Sequence, residues 1–250
     1  MHRLILIGAV LGSWCWVTCA HGAPEYTITV LDTLPIPQGS DPFGYQSYAY
    51  AINEQGVVVG ESTLNTSGNI GQTRPVMWNA SSQPVELWHD QTFGGKGLGI
   101  NNAGFVVGRY GSGNGIPLPG PGIPDGGAFI WDPVSREFMD LGDLDGFRVE
   151  ATGINENGQV VGSSENVELD ARAFIWDSAT GMHDLGTLGG AFSRGTAINN
   201  AAQVVGWSAV ANGLEQAFLW DAANGMRAIG TAQESRAYSI NDTGEVVGLE

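Results

Sequence analysis

Beyond residue 20 the chain contains no cysteine; its only two, Cys15 and Cys19, sit in the first twenty residues. That excludes a disulfide framework for the rest, so hydrophobic burial has to hold the fold, and about 230 residues are ample for that. Long apolar runs are missing too, with one exception at the start, where Leu4 to Val17 carries no charge. This run follows Arg3 and ends at the small residues Ala20, Gly22 and Ala23, the layout of a secretory signal peptide and too short for a spanning helix. Cleavage after Gly22 or Ala20 suits the preference for small residues, and Thr18 before Cys19 argues against a lipoprotein signal. The expectation is a signal peptide over 1–22 and a single repeat domain over 23–250. The mature chain then has no membrane span and is destined for the periplasm, cell surface or medium.

Positive charge is scarce. Without Arg3, 9 basic residues face 26 acidic ones, a net charge of −17. Such a surface repels phosphate backbones and anionic lipid, which argues against nucleic acid and membrane as partners. Acidity can also mark disorder, but 42% hydrophobic content and eight tryptophans supply a core. Helical periodicity is absent from the mature chain, as are Gly-x-Ser-x-Gly, His-Glu-x-x-His and zinc-type spacings. With His21 set aside beside the cleavage region, only His89 and His183 remain.

What is present is a repeat. Ile-Asn-x-x-Gly-x-Val-Val-Gly starts at Ile52, Ile100, Ile154 and Ile240, and a fifth copy from Ile198 differs only by Ala202 in the glycine position. The asparagines, Asn53, Asn101, Asn155, Asn199 and Asn241, are 48, 54, 44 and 42 residues apart. Between them lie PVMWN from Pro75, AFIWD from Ala128 and Ala173, and AFLWD from Ala217. EFMDLGDL, GMHDLGTL and GMRAIGTA follow the last three. Asn-x-x-Gly reads as a hairpin turn in which Asn caps the turn and Gly takes the left-handed position. Ala202 would pay about 1 kcal/mol there, or its turn differs. Val-Val-Gly opens the return strand. Phe-Ile-Trp is apolar on both faces and so buried on both. Asp177 to Gly181 marks a second hairpin turn.

One unit therefore has four antiparallel strands in 40–50 residues, the size of a propeller blade. The expected fold is an all-β propeller of about five blades, the last incomplete; a β-solenoid-like tandem repeat is the alternative. The units fall near 48–93, 94–146, 147–190, 191–233 and a partial 234–250, with 26–47 as a closing strand. In the Ile-Asn strand the residues two and four before Asn are small in every copy (Ala51 and Ala49, Gly99 and Gly97, Gly153 and Ala151, Ala197 and Gly195, Ser239 and Ala237), while the alternate ones are larger. Period-two alternation then gives each sheet a small face and a large face that nest together. Residues 26–34 resemble an Asp-Leu-Gly strand with nothing before it, and the chain stops after a Val-Val-Gly strand. They are expected either to pair with the strand of Val246 and Val247 or to leave its edge open, with the sequence a fragment or the ring needing further blades.

The words Ala-Phe-Ile/Leu-Trp-Asp, Asp-Leu-Gly-Thr-Leu-Gly-Gly (184–190) and Ile-Asn-x-x-Gly-x-Val-Val-Gly resemble those of the bacterial HAF family of extracellular repeat proteins. The family's His-Ala-Phe appears as Gly127-Ala128-Phe129, Arg172-Ala173-Phe174 and Gln216-Ala217-Phe218, without the histidine. The resemblance spans the mature chain and implies a secreted bacterial protein. It carries no activity with it, and no Pro-Glu-Pro sorting tail occurs here.

Three features are candidate sites. Five residues before each Asn stand Tyr48, Lys96, Glu150, Arg194 and Arg236, one per unit; at the mouth of a central channel they would form a mixed cationic ring for an anionic sugar or carboxylate. Asp140, Asp143 and Asp145 form the densest acidic cluster; a solvated turn is the first reading and a metal site the weaker alternative, without EF-hand spacing. Residues 110–127 are a Gly/Pro-rich insertion that reads as a loop. The function expected is a secreted binding or surface-interaction module, without cofactor, for an extracellular carbohydrate or protein ligand. The alternative is a carbohydrate-active enzyme with paired carboxylates.

Overall fold

The computed structural model describes residues 2–5, 26–34, 46–66, 69–79, 83–87, 94–111, 126–146, 148–168, 170–230 and 234–250. Most of the leader segment, His89 and residues 112–125 of the insertion lie outside the described residues. The described residues contain strands and turns and no helix, hence no helix long and apolar enough to cross a membrane.

Strands β1 (His2–Ile5) and β2 (Tyr26–Thr29) pair in parallel. Four antiparallel sheets follow, each with its strands in chain order. The first sheet is β3 (Ser47–Ile52), β4 (Val58–Thr66), β5 (Asn69–Trp78) and β6 (Pro84–Glu86). The second is β7 (Gly94–Ile100), β8 (Val106–Gly111), β9 (Gly126–Trp131) and β10 (Phe138–Asp140). The third is β11 (Val149–Ile154), β12 (Val160–Glu165), β13 (Ala171–Asp177) and β14 (Gly181–Asp184). The fourth is β15 (Gly189–Ile198), β16 (Val204–Val210), β17 (Glu215–Asp221) and β18 (Gly225–Ala228). The last sheet has two strands, β19 (Arg236–Ile240) and β20 (Val246–Leu249). Among the described residues β20 therefore has one open edge, and Tyr26–Thr29 lies beside β1.

The first hairpin of every sheet is the same five-residue turn. In the third sheet Gly158 N donates to Asn155 O (3.2 Å), Asn155 N donates to Gln159 O (3.0 Å), and the Asn155 side-chain oxygen accepts from Gln159 N (2.9 Å). Gly158 has φ +78°, the left-handed value that closes the turn. Ala202 keeps this geometry at φ +57° and bonds Asn199 O in the same way, so the fourth turn carries the strain rather than changing shape. Arg136, where the other second hairpins have Gly181 and Gly225, is likewise at φ +60°.

Alternation then assigns each strand residue to a neighbour. In the Val-Val pair the first valine packs on the preceding sheet and the second on the following one: Val106 with Val59, Val107 with Val160, Val161 with Val204. On the third strand Phe and Trp face the preceding sheet while Ala and Ile face the next, as with Phe174 and Trp176 against Ala173 and Ile175. Trp78, Trp131 and Trp176 are buried and Trp220 is half-buried, all in the same strand position. The core is thus a series of layers between consecutive sheets, each Phe or Trp contributing about 2–3 kcal/mol. Leu31 and Leu34 form the first layer with Val58, Val76 and Trp78, whose indole N–H donates to Asp32 O (2.8 Å). They occupy on the first sheet the place that Leu141 and Leu185 hold at later junctions.

The first strand departs from simple alternation. In all five sheets its register shifts between the fourth and second residues before Asn, a β-bulge. The small residues on either side of it therefore face opposite ways. A Cβ on Gly97 would meet Val59 of the preceding sheet, whereas one on Gly99 would meet Gly153 of the following sheet. The expected small face and large face are thus corrected: the bulge turns one small residue to each neighbour, so that first strands approach closely on both sides. The bulge also explains the Val-Val-Gly glycine. It drives a carbonyl over that residue, so a Cβ at Gly60, Gly108, Gly162, Gly206 or Gly248 would lie 1.8–2.0 Å from the oxygen of the residue five before Asn.

The turn asparagines also join the sheets. Asn53, Asn101, Asn155 and Asn199 each donate their side-chain N–H to the backbone carbonyl of the next unit's Asn, at 3.1–3.2 Å. Beside this ladder runs a second one. The backbone N–H groups of Glu54, Asn102, Glu156 and Asn200 donate to the side-chain oxygens of Asn102, Glu156, Asn200 and Asp242 respectively. Each sheet junction thus carries two hydrogen bonds repeated in register, each worth about 1 kcal/mol net.

Candidate functional site

The first strands place Tyr48, Lys96, Glu150, Arg194 and Arg236 at equivalent positions, one per sheet, directly opposite Glu61, Arg109, Ser163, Trp207 and Leu249 on the second strands. Three of them pair across sheet junctions. Lys96 Nζ reaches back to the buried Glu61 carboxylate of the first sheet (2.9 Å), which also accepts from the Tyr50 hydroxyl, and lies over the Tyr50 ring. Burial and the bond to Glu61 push the Tyr50 phenol up. Glu150 pairs with Arg109 of the second sheet (3.5 Å). Arg236 pairs with Glu215 of the fourth sheet (2.5 Å) and lies over Trp207, and the Glu215 carboxylate raises its guanidinium still further. Tyr48 bonds Gln46. Arg194 is exposed and forms no ion pair among the described residues. No two of the five pair with each other among the described contacts; Lys96, Glu150 and Arg236 each pair with the preceding sheet.

Asp140, Asp143 and Asp145 lie in and after β10. Asp140 accepts from Gly142 N (2.7 Å) and the Tyr110 hydroxyl, and Asp143 accepts from Asp145 N (2.7 Å). Burial and Asp140 together push the Tyr110 phenol up. The described residues hold no group of three His, Cys, Asp or Glu side chains placed to bind a metal ion. His183 is exposed on β14 opposite Ile175. The described ends of the insertion, Tyr110–Gly111 and Gly126–Gly127, pair as strand.

A groove of about 500 Å³ opens where the second and third sheets meet, at their turn ends. Its apolar lining is Phe105, Ile130, Phe138, Met139 and Trp176, and its acids are Asp132, Glu137, Glu156 and Asp177, with no basic side chain. Phe138 and Met139 are exposed, at 42% and 49%. Three of the acids are held by their own or neighbouring turns. Asp132 accepts from Val134 N (2.7 Å), Glu156 from Asn102 N (3.0 Å), and Asp177 from the Ala179 and Thr180 backbones and the Thr180 hydroxyl. The Thr180 hydroxyl and these backbone N–H groups hold the Asp177 carboxyl below the usual carboxylate range. The Glu137 carboxylate makes no hydrogen bond among the described residues. Sequence reasoning did not find this groove, because its walls are turns of two different units. The available signal was the Phe138-Met139 pair ahead of Asp140, where the next unit has Met182-His183.

The stacked four-stranded sheets match solved structures. TolB from Acinetobacter baumannii superposes with a TM-score of 0.52 at 9% identity, over 76% of this chain and 46% of that one. Putative TolB from Agrobacterium tumefaciens gives 0.54 at 12% identity, over 88% of this chain and 76% of that one. The chain thus spans less than half of the Acinetobacter protein. At such identities the likeness concerns the fold, and the four-stranded sheets are β-propeller blades. No protein-family model and no curated protein matches the chain.

Proposed function

We propose that this chain is an exported binding module, a β-propeller that seats a segment of a partner protein in the groove between its second and third blades. The observation that carries the reading is the groove itself, with Phe138 and Met139 exposed on its wall and four carboxylates without a cation among its lining. Apolar anchors ringed by one sign of charge suit a ligand that combines apolar and basic side chains. Export is supported by the leader-like first 22 residues, the cysteine-free remainder and the resemblance of the repeat words to an extracellular family.

The paired-carboxylate alternative finds less support. A glycosidase needs one carboxyl with a raised pKa beside an ionised one. In this groove Asp177 is shifted down, and Asp132 and Glu156 accept turn hydrogen bonds. The test is calorimetric titration with peptides of mixed basic and apolar sequence, acidic peptides and neutral oligosaccharides. The proposal expects binding of the first set only, weakened roughly tenfold or more by Phe138→Ser with Met139→Ser. Turnover of a glycan, lost on Glu137→Gln, would overturn it.

A further inference from the structure

At three blade junctions the residue five before Asn meets a group of the preceding blade. Lys96 meets Glu61, Glu150 meets Arg109, and Arg236 lies over Trp207 and meets Glu215. Glu61, Arg109 and Trp207 each directly follow a Val-Val-Gly. Where the third and fourth blades join, the same two positions hold Arg194 and Ser163. Contacts on both sides of Arg194 set its backbone against Ser163. A Cβ on Gly195 would lie 3.0 Å from Gly162 O, and the Ser193 hydroxyl accepts from the N–H of Ala173, the register partner of Ser163. Yet neither side chain has a partner among the described residues. Arg194 is exposed without an ion pair, and the Ser163 hydroxyl, in a residue only 8% exposed, makes no hydrogen bond.

At the first junction the buried Glu61 carboxylate accepts from both Lys96 Nζ (2.9 Å) and the Tyr50 hydroxyl. In the third blade Ser163 stands for Glu61 and Thr152 for Tyr50, and the Thr152 hydroxyl is turned to Val161 O and Gly195 O. This junction thus keeps the cation but has neither the carboxylate nor the aromatic ring. Glu150, across the strand pair from Ser163, is held by Arg109, so Arg194 leaves a local positive charge on a chain of net charge −16.

We infer that Arg194 and Ser163 form a binding site for the carboxylate of a sugar acid. The guanidinium takes the carboxylate as a forked pair and the Ser163 hydroxyl donates to one of its oxygens, so the ligand supplies what Glu61 supplies at the first junction. A hexuronate suits the place better than an acidic peptide. Its ring takes the room that the Tyr50 phenol takes at the first junction, and Trp207, half-buried and directly opposite Arg194, gives that ring an apolar neighbour. The site lies at a different junction from the groove and does not rest on it.

Calorimetric titration of the full chain with trigalacturonate, galactotriose and an acetylated triglutamate peptide tests this. Trigalacturonate alone should bind, and less tightly as salt is added. Arg194→Gln, at an exposed position, should weaken it about tenfold or more with an unchanged melting temperature, and Ser163→Ala should weaken it roughly threefold. Ser163→Glu rebuilds the Glu61–Lys96 arrangement against Arg194, so it should raise the melting temperature and abolish binding. No binding of trigalacturonate at millimolar concentration would overturn the inference. So would equal binding of galactotriose or the peptide, or an affinity that survives Arg194→Gln.

Discussion

Gly158 and Gly162 are four residues apart and required for different reasons, which makes the pair a sharp test of the bulged-strand geometry. Gly158 has φ +78° with open space where a Cβ would stand, so Gly158→Ala should cost only the left-handed penalty, about 1 kcal/mol. Gly162 has no such φ, but a Cβ there would sit 1.9 Å from Glu150 O and 2.9 Å from Ala151 Cα. An ordinary C···O approach is about 3.3 Å, so the carbonyl would have to retreat by roughly 1.4 Å. It cannot do so alone, because Glu150 and Ala151 are paired to Ser163 and Gly162 on either side of the contact. Gly162→Ala should therefore disrupt the β11–β12 pairing and cost about 3 kcal/mol or more. Urea unfolding of the wild type and both variants measures the difference. A Gly162→Ala midpoint equal to or above that of Gly158→Ala would refute the reasoning.

Three further outcomes follow from the same geometry. Ala202→Gly relieves an alanine held at φ +57° and should stabilise by about 1 kcal/mol in thermal or urea unfolding. Asn155→Asp keeps the oxygen that caps its turn but sets a buried carboxylate against Asn199 O and Gln159 Oε1. It should cost about 2–4 kcal/mol at neutral pH and recover part of that near pH 4, where the group is protonated, as a melting series would show. Asp221 is held below the usual carboxylate range by Arg227 first and then by Asn224. Its contribution is therefore present above about pH 4 and lost as pH falls through its folded value, so the melting-temperature gap between wild type and Asp221→Asn should narrow on acidification.

The hairpins were legible because their chemistry is local: Asn, Gly and the intervening length set the turn without help from the rest of the chain. The two-faced Phe-Ile-Trp strand was legible for a similar reason, since unbroken apolarity already implies a neighbour on each side. What the sequence concealed depends on two strands or two blades at once. A bulge is a relation between β11 and β12, so the small residues before Asn read as one face when they serve two. The Val-Val-Gly glycine looked like the start of a strand, although its need comes from a carbonyl twelve residues earlier. The ion pairs of Lys96 and Arg236 were hidden because their partners, Glu61 and Glu215, lie on other strands of the preceding blade. The second ladder did leave a trace, since the residue after Asn carries a side-chain oxygen in every copy. That pattern has meaning only once adjacent turns are known to touch.

The central claim is that each Asn-x-x-Gly turn also fastens its blade to the next, and amide hydrogen exchange of the turn tips tests it most directly. The backbone N–H groups of Glu54, Asn102, Glu156 and Asn200 sit at exposed hairpin ends yet donate to the following blade, whereas that of Asp242 has no acceptor among the described residues. In dilute monomer the first four should be protected and Asp242 should exchange freely. Asn200→Ala should release Glu156 while leaving Glu54 and Asn102 protected. Equal, rapid exchange at all five positions would contradict the account.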